Sequence, residues 1–174
     1  MVKAQMHKSL AGATLLKVAR VQNIHLWEYY CLRRERMIRL SDGKDPNVVS
    51  CWHGTSKIHP SAIYEDDADG FMMQYAAAGM WGRGIYFADK AAYSHSYAHV
   101  LPDGSRTFMM VKLLAGEEVD LPSNSGLKIP PDKPAPAKGR FDTVTGTTKG
   151  SKVYIVYENG RAFPEYLVTY KTAS

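Results

Sequence analysis

Hydrophobic and polar residues alternate along several short segments of the chain, a pattern that is typical of half-buried β-strands. Segments of this kind, or short apolar runs bounded by turn-forming residues, occur at 14–21, 48–53, 107–115, 152–157 and 165–171. Few helical segments separate them, and strands and helices do not alternate regularly. This order predicts an α+β fold built on mostly antiparallel sheets.

Helical periodicity is strongest over residues 24–39, where Trp27, Cys31 and Ile38 fall near one face. Asn23 stands immediately before this stretch. Its side-chain oxygen can accept a hydrogen bond from a free N–H group of the first helical turn. We therefore predict an amphipathic helix over 24–39 with Asn23 as its N-cap.

Three further local signals bear on the fold. Asp89 is expected to cap a second helix over 90–99. Residues 122–140 contain five prolines and predict a long surface loop. Asn159-Gly160 is a strong turn signal and predicts a β-hairpin joining the last two strands.

Composition limits the domain organisation and the kinds of site. The chain has 174 residues, of which 45% are hydrophobic and 22% charged, and this suits one domain with a sizeable core. We predict a single domain over residues 1–174, with residues 1–13 as a flexible N-terminal segment. Two cysteines do not make a disulfide framework. Because the Cys and His residues lack the spacing of a ligand set, we expect no metal.

The net charge of +5 suits a partner or substrate that carries phosphates. The basic residues are scattered, so charge alone is weak support for nucleic-acid binding. Lys3, His7 and Lys8 lie where a signal peptide would need an apolar segment, and no apolar run is long enough to cross a bilayer. We therefore expect an intracellular protein, cytoplasmic or nuclear, that is neither secreted nor bound to a membrane.

The stretch GRGIYFADKAAYSHSYA, residues 82–98, brings aromatic and hydroxyl side chains together. Ser94 and Tyr97 are three residues apart on the predicted helix and share a face, while Tyr86 lies on the strand before it. If that helix packs beside the strand end, two aromatic faces and one hydroxyl form a slot for a flat ring with a polar substituent. The alternative is that both tyrosines are core residues and Ser94 lies at the surface.

A second candidate segment, His53-Gly54-Thr55, ends the predicted strand at 48–53. Glycine at this place allows the backbone N–H and C=O to approach a ligand closely. The alternative is a junction between a strand and a turn, with an incidental histidine.

Several segments of the chain, in order, resemble one known family. They are VARVQNIHLWEYY, WHGTS, GFMMQYAAAGMWGRGIYFADKAAYSHSYA, RFDTVTG and AFPEYLVTY. Together they are similar to the catalytic domain of the poly(ADP-ribose) polymerase family, the ADP-ribosyltransferases of the diphtheria-toxin-like class. The resemblance runs from about Leu15 to Tyr170. It implies an ADP-ribosyltransferase fold, with two mostly antiparallel sheets packed with a few helices, and leaves no room for the family's α-helical regulatory domain.

The resemblance also implies that the slot holds the nicotinamide of NAD⁺, used as a co-substrate. Tyr86 and Tyr97 would sandwich the ring, which suits two tyrosine faces because nicotinamide in NAD⁺ is a flat cation. The Ser94 hydroxyl and the Gly54 backbone would bind its carboxamide.

The other end of NAD⁺ receives further implied contacts. His53 would hydrogen-bond the adenine ribose, with Thr55 near it. The segment from Gly70 to Gly82 would form a donor loop over the dinucleotide.

The third catalytic position departs from the polymer-forming members, whose triad is His-Tyr-Glu. In that pattern the glutamate lies on the strand before the last and begins a Glu-Tyr-Val-Ile-Tyr run. The matching run here begins at Val153, so the implied triad is His53, Tyr86 and Val153. A register error of one or two residues would place Lys152 or Tyr154 there, and neither is a glutamate.

An aliphatic third residue resembles the mono-ADP-ribosylating members. Valine can neither accept a hydrogen bond nor take a proton, so chain elongation should fail while a single transfer survives. We therefore predict an enzyme that transfers one ADP-ribose from NAD⁺ to an acceptor, an acidic or other protein side chain, and releases nicotinamide.

Two alternatives stay open from the sequence. Glu165 could serve as the catalytic glutamate of a poly-ADP-ribosyltransferase, although a structural role at a strand start is expected for it. The domain could also be a non-catalytic module that binds NAD⁺ or ADP-ribose. The expected acceptor is a protein, and this chain itself is one candidate. A nucleic-acid acceptor stays open as an alternative. The chain is expected to be a monomer.

Overall fold

The computed structural model describes residues 1–172, which contain four α-helices, one 3₁₀ turn and eleven β-strands. The helices are α1 (Val2–His7), α2 (Ile24–Leu40), α3 (Ser61–Tyr64) and α4 (Ala91–His95), and the 3₁₀ turn is Met73–Tyr75. The strands are β1 (Ala13–Arg20), β2 (Val48–His53), β3 (Ala78–Gly79), β4 (Gly82–Arg83), β5 (Ile85–Ala88), β6 (His99–Val100), β7 (Arg106–Leu114), β8 (Glu118–Asp120), β9 (Thr143–Thr148), β10 (Ser151–Val156) and β11 (Ala162–Thr172).

Within residues 1–172, nine of these strands form one sheet in the order β1-β11-β7-β2-β5-β10-β9-β8, with β6 beside β7. Neighbouring strands are antiparallel except β8 and β9, which are parallel. β3 and β4 form a separate two-stranded sheet. The predicted α+β class with mostly antiparallel sheets is confirmed, and nearly all of the strands belong to the large sheet.

The centre of the sheet fixes the backbone of the candidate site. Phe108, Met109 and Val111 of β7 are fully buried. β2 pairs with β7 along its whole length and ends where His53 meets Met109. Because β2 also lies beside β5, the end of β2 and the middle of β5 are held next to each other.

The predicted hairpin at Asn159-Gly160 is wrong. β10 pairs with β5 and β9, whereas β11 pairs with β7 and β1, so the chain crosses the sheet between them. Gly160 has a φ of 74° and packs against α2, where a Cβ would lie 2.6 Å from Cγ of Arg33. The turn residues are therefore selected by contacts with other parts of the fold and not by strand pairing.

The predicted helix cap is confirmed, but the buried face of α2 differs from the prediction. The Oδ1 atom of Asn23 accepts a hydrogen bond from the backbone N–H of Leu26 at 3.2 Å. Leu26 and Tyr30 are the buried residues of α2, while Trp27 is 39% exposed. Trp27 instead covers the edge of the core, with its ring centroid 5.1 Å from that of Phe163.

Residues 1–13, for which a flexible segment is predicted, include a short helix. Residues 2–7 form α1, and its Val2 and Met6 side chains are buried in a cluster with Trp52 and Phe108. Val2 and Met6 are four residues apart and therefore share one helical face. One such pair is too short a pattern to predict a helix from sequence.

Candidate functional site

The candidate site begins with a direct link between the ends of β2 and β5. The Nδ1 atom of His53 lies 2.8 Å from the backbone carbonyl oxygen of Tyr86. A carbonyl only accepts hydrogen bonds, so Nδ1 carries the proton and donates it. In the neutral imidazole this leaves the Nε2 lone pair as an acceptor.

Aromatic packing holds the His53 ring in place. Its centroid is 5.1 Å from that of Phe71 and 5.4 Å from that of Phe87. Burial lowers the pKa of His53 from its ordinary value of 6.5, against the opposing effect of the hydrogen bond to Tyr86. His53 is therefore a neutral, oriented imidazole near pH 7.

The Tyr86 side chain is fastened to the segment that precedes it. Its hydroxyl donates to the carbonyl of Gly82 at 2.7 Å and accepts from the backbone N–H of Trp81 at 2.9 Å. A Cβ added to Gly79 would lie 2.6 Å from Cζ of the Tyr86 ring. Glycine at position 79 is thus what allows the chain to pass this close to the phenol.

Gly54 meets the other tyrosine of the predicted slot. A Cβ at Gly54 would overlap the backbone carbonyl of Tyr97, so the close approach requires glycine. The N–H of Ser56 donates to the same Tyr97 carbonyl at 2.7 Å. Because β2 ends at His53, the backbone N–H and C=O of Gly54 lie outside the strand ladder.

The helix predicted over 90–99 is shorter than expected. α4 covers only Ala91–His95, and Ser94 is 3% exposed while Tyr97 lies beyond the helix and is 44% exposed. Asp89 is not its N-cap, because its carboxylate accepts a hydrogen bond from the Ser151 hydroxyl at 2.5 Å. This bond ties the start of α4 to β10 instead.

Thr55 is placed beside the slot, but its hydroxyl is already engaged. It donates to the backbone carbonyl of Ile58 within the turn that follows β2. The structure therefore brings the Thr55 backbone next to His53 and Gly54 without directing a free hydroxyl at them.

Val153 occupies the strand next to Tyr86. In the β10–β5 pair, Val153 is opposite Ala88 and Ile155 is opposite Tyr86. Residues directly opposite each other point to the same face of a sheet, so Val153 lies on the face of Tyr86. It is fully buried in a cluster with Trp81, against which Tyr86 packs.

Glu165 lies elsewhere in the sheet. It belongs to β11, which is separated from β5 by β7 and β2, a distance of three strand spacings or roughly 14 Å. Its carboxylate forms an ion pair with Lys112 at 3.1 Å. Position and pairing both agree with the expected structural role.

The predicted donor loop, residues 70–82, is fastened at several points. The guanidinium of Arg83 donates to the carbonyls of Gln74 at 2.8 Å and Ala76 at 3.0 Å. The backbone N–H of Met73 donates to Oδ1 of Asn159 at 2.8 Å. The Trp81 carbonyl accepts from the Tyr157 hydroxyl at 2.6 Å.

The amino-acid sequence of the chain is similar to those of known proteins. The family model of the poly(ADP-ribose) polymerase catalytic domain matches residues 1–153. The chain belongs to this family. The matched span contains His53 and Tyr86 and ends at Val153.

Three relatives of this poly(ADP-ribose) polymerase domain are named as mono-ADP-ribosyltransferases, and a fourth, from Dictyostelium discoideum, is named as a probable poly(ADP-ribose) polymerase. Protein mono-ADP-ribosyltransferase PARP12 of Homo sapiens is 30% identical over 158 residues, which cover 91% of this chain and 22% of that protein. PARP14 of Homo sapiens, with the same descriptive name, is 28% identical over 175 residues, covering 98% and 9%. PARP11 of Mus musculus is 22% identical over 182 residues, covering 94% and 54%. The chain spans about a fifth of the length of PARP12.

Sequence reasoning missed one aromatic residue that lies beside the candidate site. Tyr93 packs against the cluster that contains Val153, and its ring centroid is 5.6 Å from that of Tyr97. Tyr93 and Tyr97 are four residues apart, and this spacing was the available signal. This signal was weak, because the sequence contains 11 tyrosines and a pair at this spacing is not distinctive.

Two open clefts of the domain lie away from this site. One of about 580 Å³ is lined by residues at the end of β1 and the start of α2, together with Tyr64 and Glu65. Another of about 270 Å³ lies between Arg140 and Glu158. Neither is lined by His53, Tyr86 or Tyr97.

A metal site and a membrane span were considered for residues 1–172. These residues contain no group of three or more His, Cys, Asp and Glu side chains arranged to hold a metal ion. None of their helices has both the length and the apolar character that a membrane span requires.

Proposed function

We propose that this domain transfers a single ADP-ribose unit from NAD⁺ to a side chain of an acceptor protein and releases nicotinamide. The observation that carries the proposal is the placement of Val153. It lies on the face of Tyr86, in the strand paired with β5, and offers no group that accepts a proton. The family relation supports ADP-ribose transfer, and the similarity to the mono-ADP-ribosyltransferases PARP12 and PARP14 supports transfer of a single unit.

The nicotinamide end of NAD⁺ fits the slot chemically. Tyr86 and Tyr97 present aromatic faces that suit a flat cation. The Gly54 N–H and C=O, which lie outside the ladder, can pair with the two halves of a carboxamide. The hydroxyl of the nearly buried Ser94 adds a third polar contact.

His53 would bind the adenosine end of NAD⁺. Its Nδ1–H is committed to the Tyr86 carbonyl, so Nε2 is the atom that accepts a hydrogen bond from a ribose hydroxyl. The Thr55 hydroxyl contributes only if it exchanges its bond to Ile58. The fastened donor loop would cover the dinucleotide.

The transfer breaks the bond between the ribose C1′ and the nicotinamide nitrogen. The electron pair of that bond stays with nicotinamide, which leaves as a neutral molecule, and positive charge develops on the ribose as in other glycosyl transfers. An acceptor carboxylate then donates an electron pair to C1′ and forms the new bond. Such an acceptor needs no general base, so a site without a carboxylate at position 153 can use it.

Chain elongation makes a different demand. A ribose hydroxyl must lose its proton to attack the next C1′, and a general base typically contributes about 10²–10⁴-fold to such a step. Val153 cannot supply it. The domain would therefore stop after one unit.

The first alternative, polymer formation through Glu165, has little support. That carboxylate is three strands from β5 and paired with Lys112. The second, a binding module without turnover, has no specific observation in its favour. His53, Gly54 and Tyr86 are the residue types that the resemblance assigns to NAD⁺ binding, and the hydrogen bond between His53 and the Tyr86 backbone supports an intact site.

We further propose a protein acceptor, with this chain itself as one candidate, and a monomeric domain. Side chains on the donor loop are accessible to such an acceptor, and Tyr75 and Met80 are 75% and 47% exposed. Whether an acceptor protein contacts these donor-loop side chains can be tested directly.

The test is incubation with labelled NAD⁺, followed by denaturing electrophoresis and intact mass measurement. Discrete additions of one ADP-ribose per modified site are expected. Gly54→Trp, which fills the slot, and Tyr97→Ala, which removes one wall, should abolish or strongly reduce labelling. A high-mass smear would indicate polymer and would return attention to Glu165. NAD⁺ binding without labelling of the chain or of an added cell extract would favour the binding module.

A further inference from the structure

Two phenol rings pack beside Val153, the third position of the implied triad, and a further phenol lies next to one of them. Tyr86 and Tyr93 pack against the same buried cluster, which includes Ala88 and Val153. The ring of Tyr93 is tilted by 46° against that of Tyr97, with centroids 5.6 Å apart. Tyr93 therefore lies between the exposed wall of the slot and the buried strand that carries Val153.

The hydroxyl of Tyr93 is the one suited to a ligand. The Tyr86 hydroxyl is committed to the backbone of Trp81 and Gly82. Burial raises the pKa of Tyr93, and the neighbouring Tyr97 and Tyr86 side chains raise it further. At neutral pH Tyr93 is thus a protonated phenol, which donates one hydrogen bond and accepts others but does not act as a base.

We propose that the Tyr93 hydroxyl hydrogen-bonds the nicotinamide ribose of bound NAD⁺, a contact that Val153 cannot make. This inference rests on the proposed function, because it assumes that Tyr86 and Tyr97 enclose the nicotinamide. A ring held between them has its attached ribose next to Tyr93. A ribose hydroxyl can donate a hydrogen bond to the Tyr93 hydroxyl or accept one from it.

The inference explains how a slot without a carboxylate orients its substrate. A phenol positions the ribose without removing its proton, so binding and single transfer persist while elongation does not. The competing explanation is that Tyr93 only supports the Tyr97 ring. The two explanations differ in which ligands should bind more weakly when the Tyr93 hydroxyl is removed.

The experiment compares NAD⁺ with free nicotinamide, which has no ribose. Dissociation constants for both are measured by calorimetry with the wild-type domain and with Tyr93→Phe, which keeps the ring and removes the hydroxyl. NAD⁺ binding should weaken about 2- to 10-fold, the effect of one hydrogen bond. Nicotinamide binding should be unchanged, and this also shows that the slot is intact.

Tyr166→Phe is the matched control, because it removes the hydroxyl of a partly buried tyrosine on β11. It should change neither constant. Unchanged NAD⁺ affinity in Tyr93→Phe would overturn the inference, and so would an equal loss for both ligands, which is the result for a supporting role. Binding involves no acceptor, so a wild-type domain that binds NAD⁺ and transfers nothing contradicts only the proposed transfer.

Discussion

The imidazole of His53 and the backbone of Tyr86 form one unit, joined by the hydrogen bond from Nδ1 to the Tyr86 carbonyl at 2.8 Å. The bond links two residues 33 positions apart in the chain. It leaves Nε2 as the ring nitrogen that can accept a further hydrogen bond, and β2 and β5 hold both residues in the same sheet.

Acid should destabilise the domain through His53. Burial lowers its pKa in the folded state below the ordinary value of 6.5, so the unfolded chain binds the proton more tightly. The contribution to stability is complete above pH 6.5 and is lost as the pH falls through the folded pKa. Each pH unit between the two pKa values costs about 1.4 kcal/mol.

Chemical unfolding from pH 8 to pH 5 measures this effect. The free energy of unfolding of His53→Gln should fall less steeply below pH 6.5 than that of the wild type. His25→Gln, which removes an exposed imidazole, serves as the control and should keep the wild-type slope. Parallel curves for His53→Gln and the wild type would contradict the prediction.

Gly79→Ala should displace the Tyr86 ring, one of the two proposed walls of the nicotinamide slot. The added Cβ would lie 2.6 Å from Cζ of Tyr86, so the ring or the loop must move. We expect a loss of about 1–3 kcal/mol in stability, as for other overpacked sites, and weaker NAD⁺ binding. Gly12→Ala is the matched control, because a Cβ there meets no atom within 4 Å. Wild-type melting temperature and NAD⁺ affinity in Gly79→Ala would show that the loop adjusts freely.

Val153→Glu should destabilise the domain, by about 2–4 kcal/mol at pH 8, because the carboxyl would enter a fully buried apolar cluster. Burial raises the pKa of such a carboxyl. The loss of stability that comes from its charge should therefore be small near pH 4 and should grow as the pH rises. Val153→Gln carries no charge and should show no such pH dependence. Equal stability of the glutamate variant and the wild type at pH 8 would mean that position 153 is open to solvent.

Glu165→Gln should leave ADP-ribose transfer unchanged. It removes the charge paired with Lys112, and the side chains of Lys112 and Glu165 are 37% and 12% exposed, so we expect a loss of stability of about 1–3 kcal/mol. Labelling rate and NAD⁺ affinity are both measured. If turnover disappears while NAD⁺ still binds, Glu165 takes part in catalysis and the polymerase alternative gains support.

Local patterns predicted the parts of the fold that local contacts stabilise. The cap of α2 by Asn23 involves a bond to Leu26, three residues away, and such bonds leave a clear trace in the sequence. Strands β1, β2, β7, β10 and β11 were also located within three residues, whereas β9 was not predicted. Tertiary contacts overrode two signals of the same kind, since Asp89 bonds Ser151 and Gly160 packs on α2.

Sequence by itself determined which chemical groups this protein has and in what order, because the motifs around His53, Tyr86 and Val153 can be aligned by residue type alone. Tertiary structure decided which groups meet. The pairing of β10 with β5 places Val153 beside Tyr86 and leaves Glu165 three strands away. The packing of Tyr93 against the cluster that contains Val153 was decided in the same way. Residue patterns specify the faces of a strand, but they do not specify its partner, which depends on packing of the whole sheet.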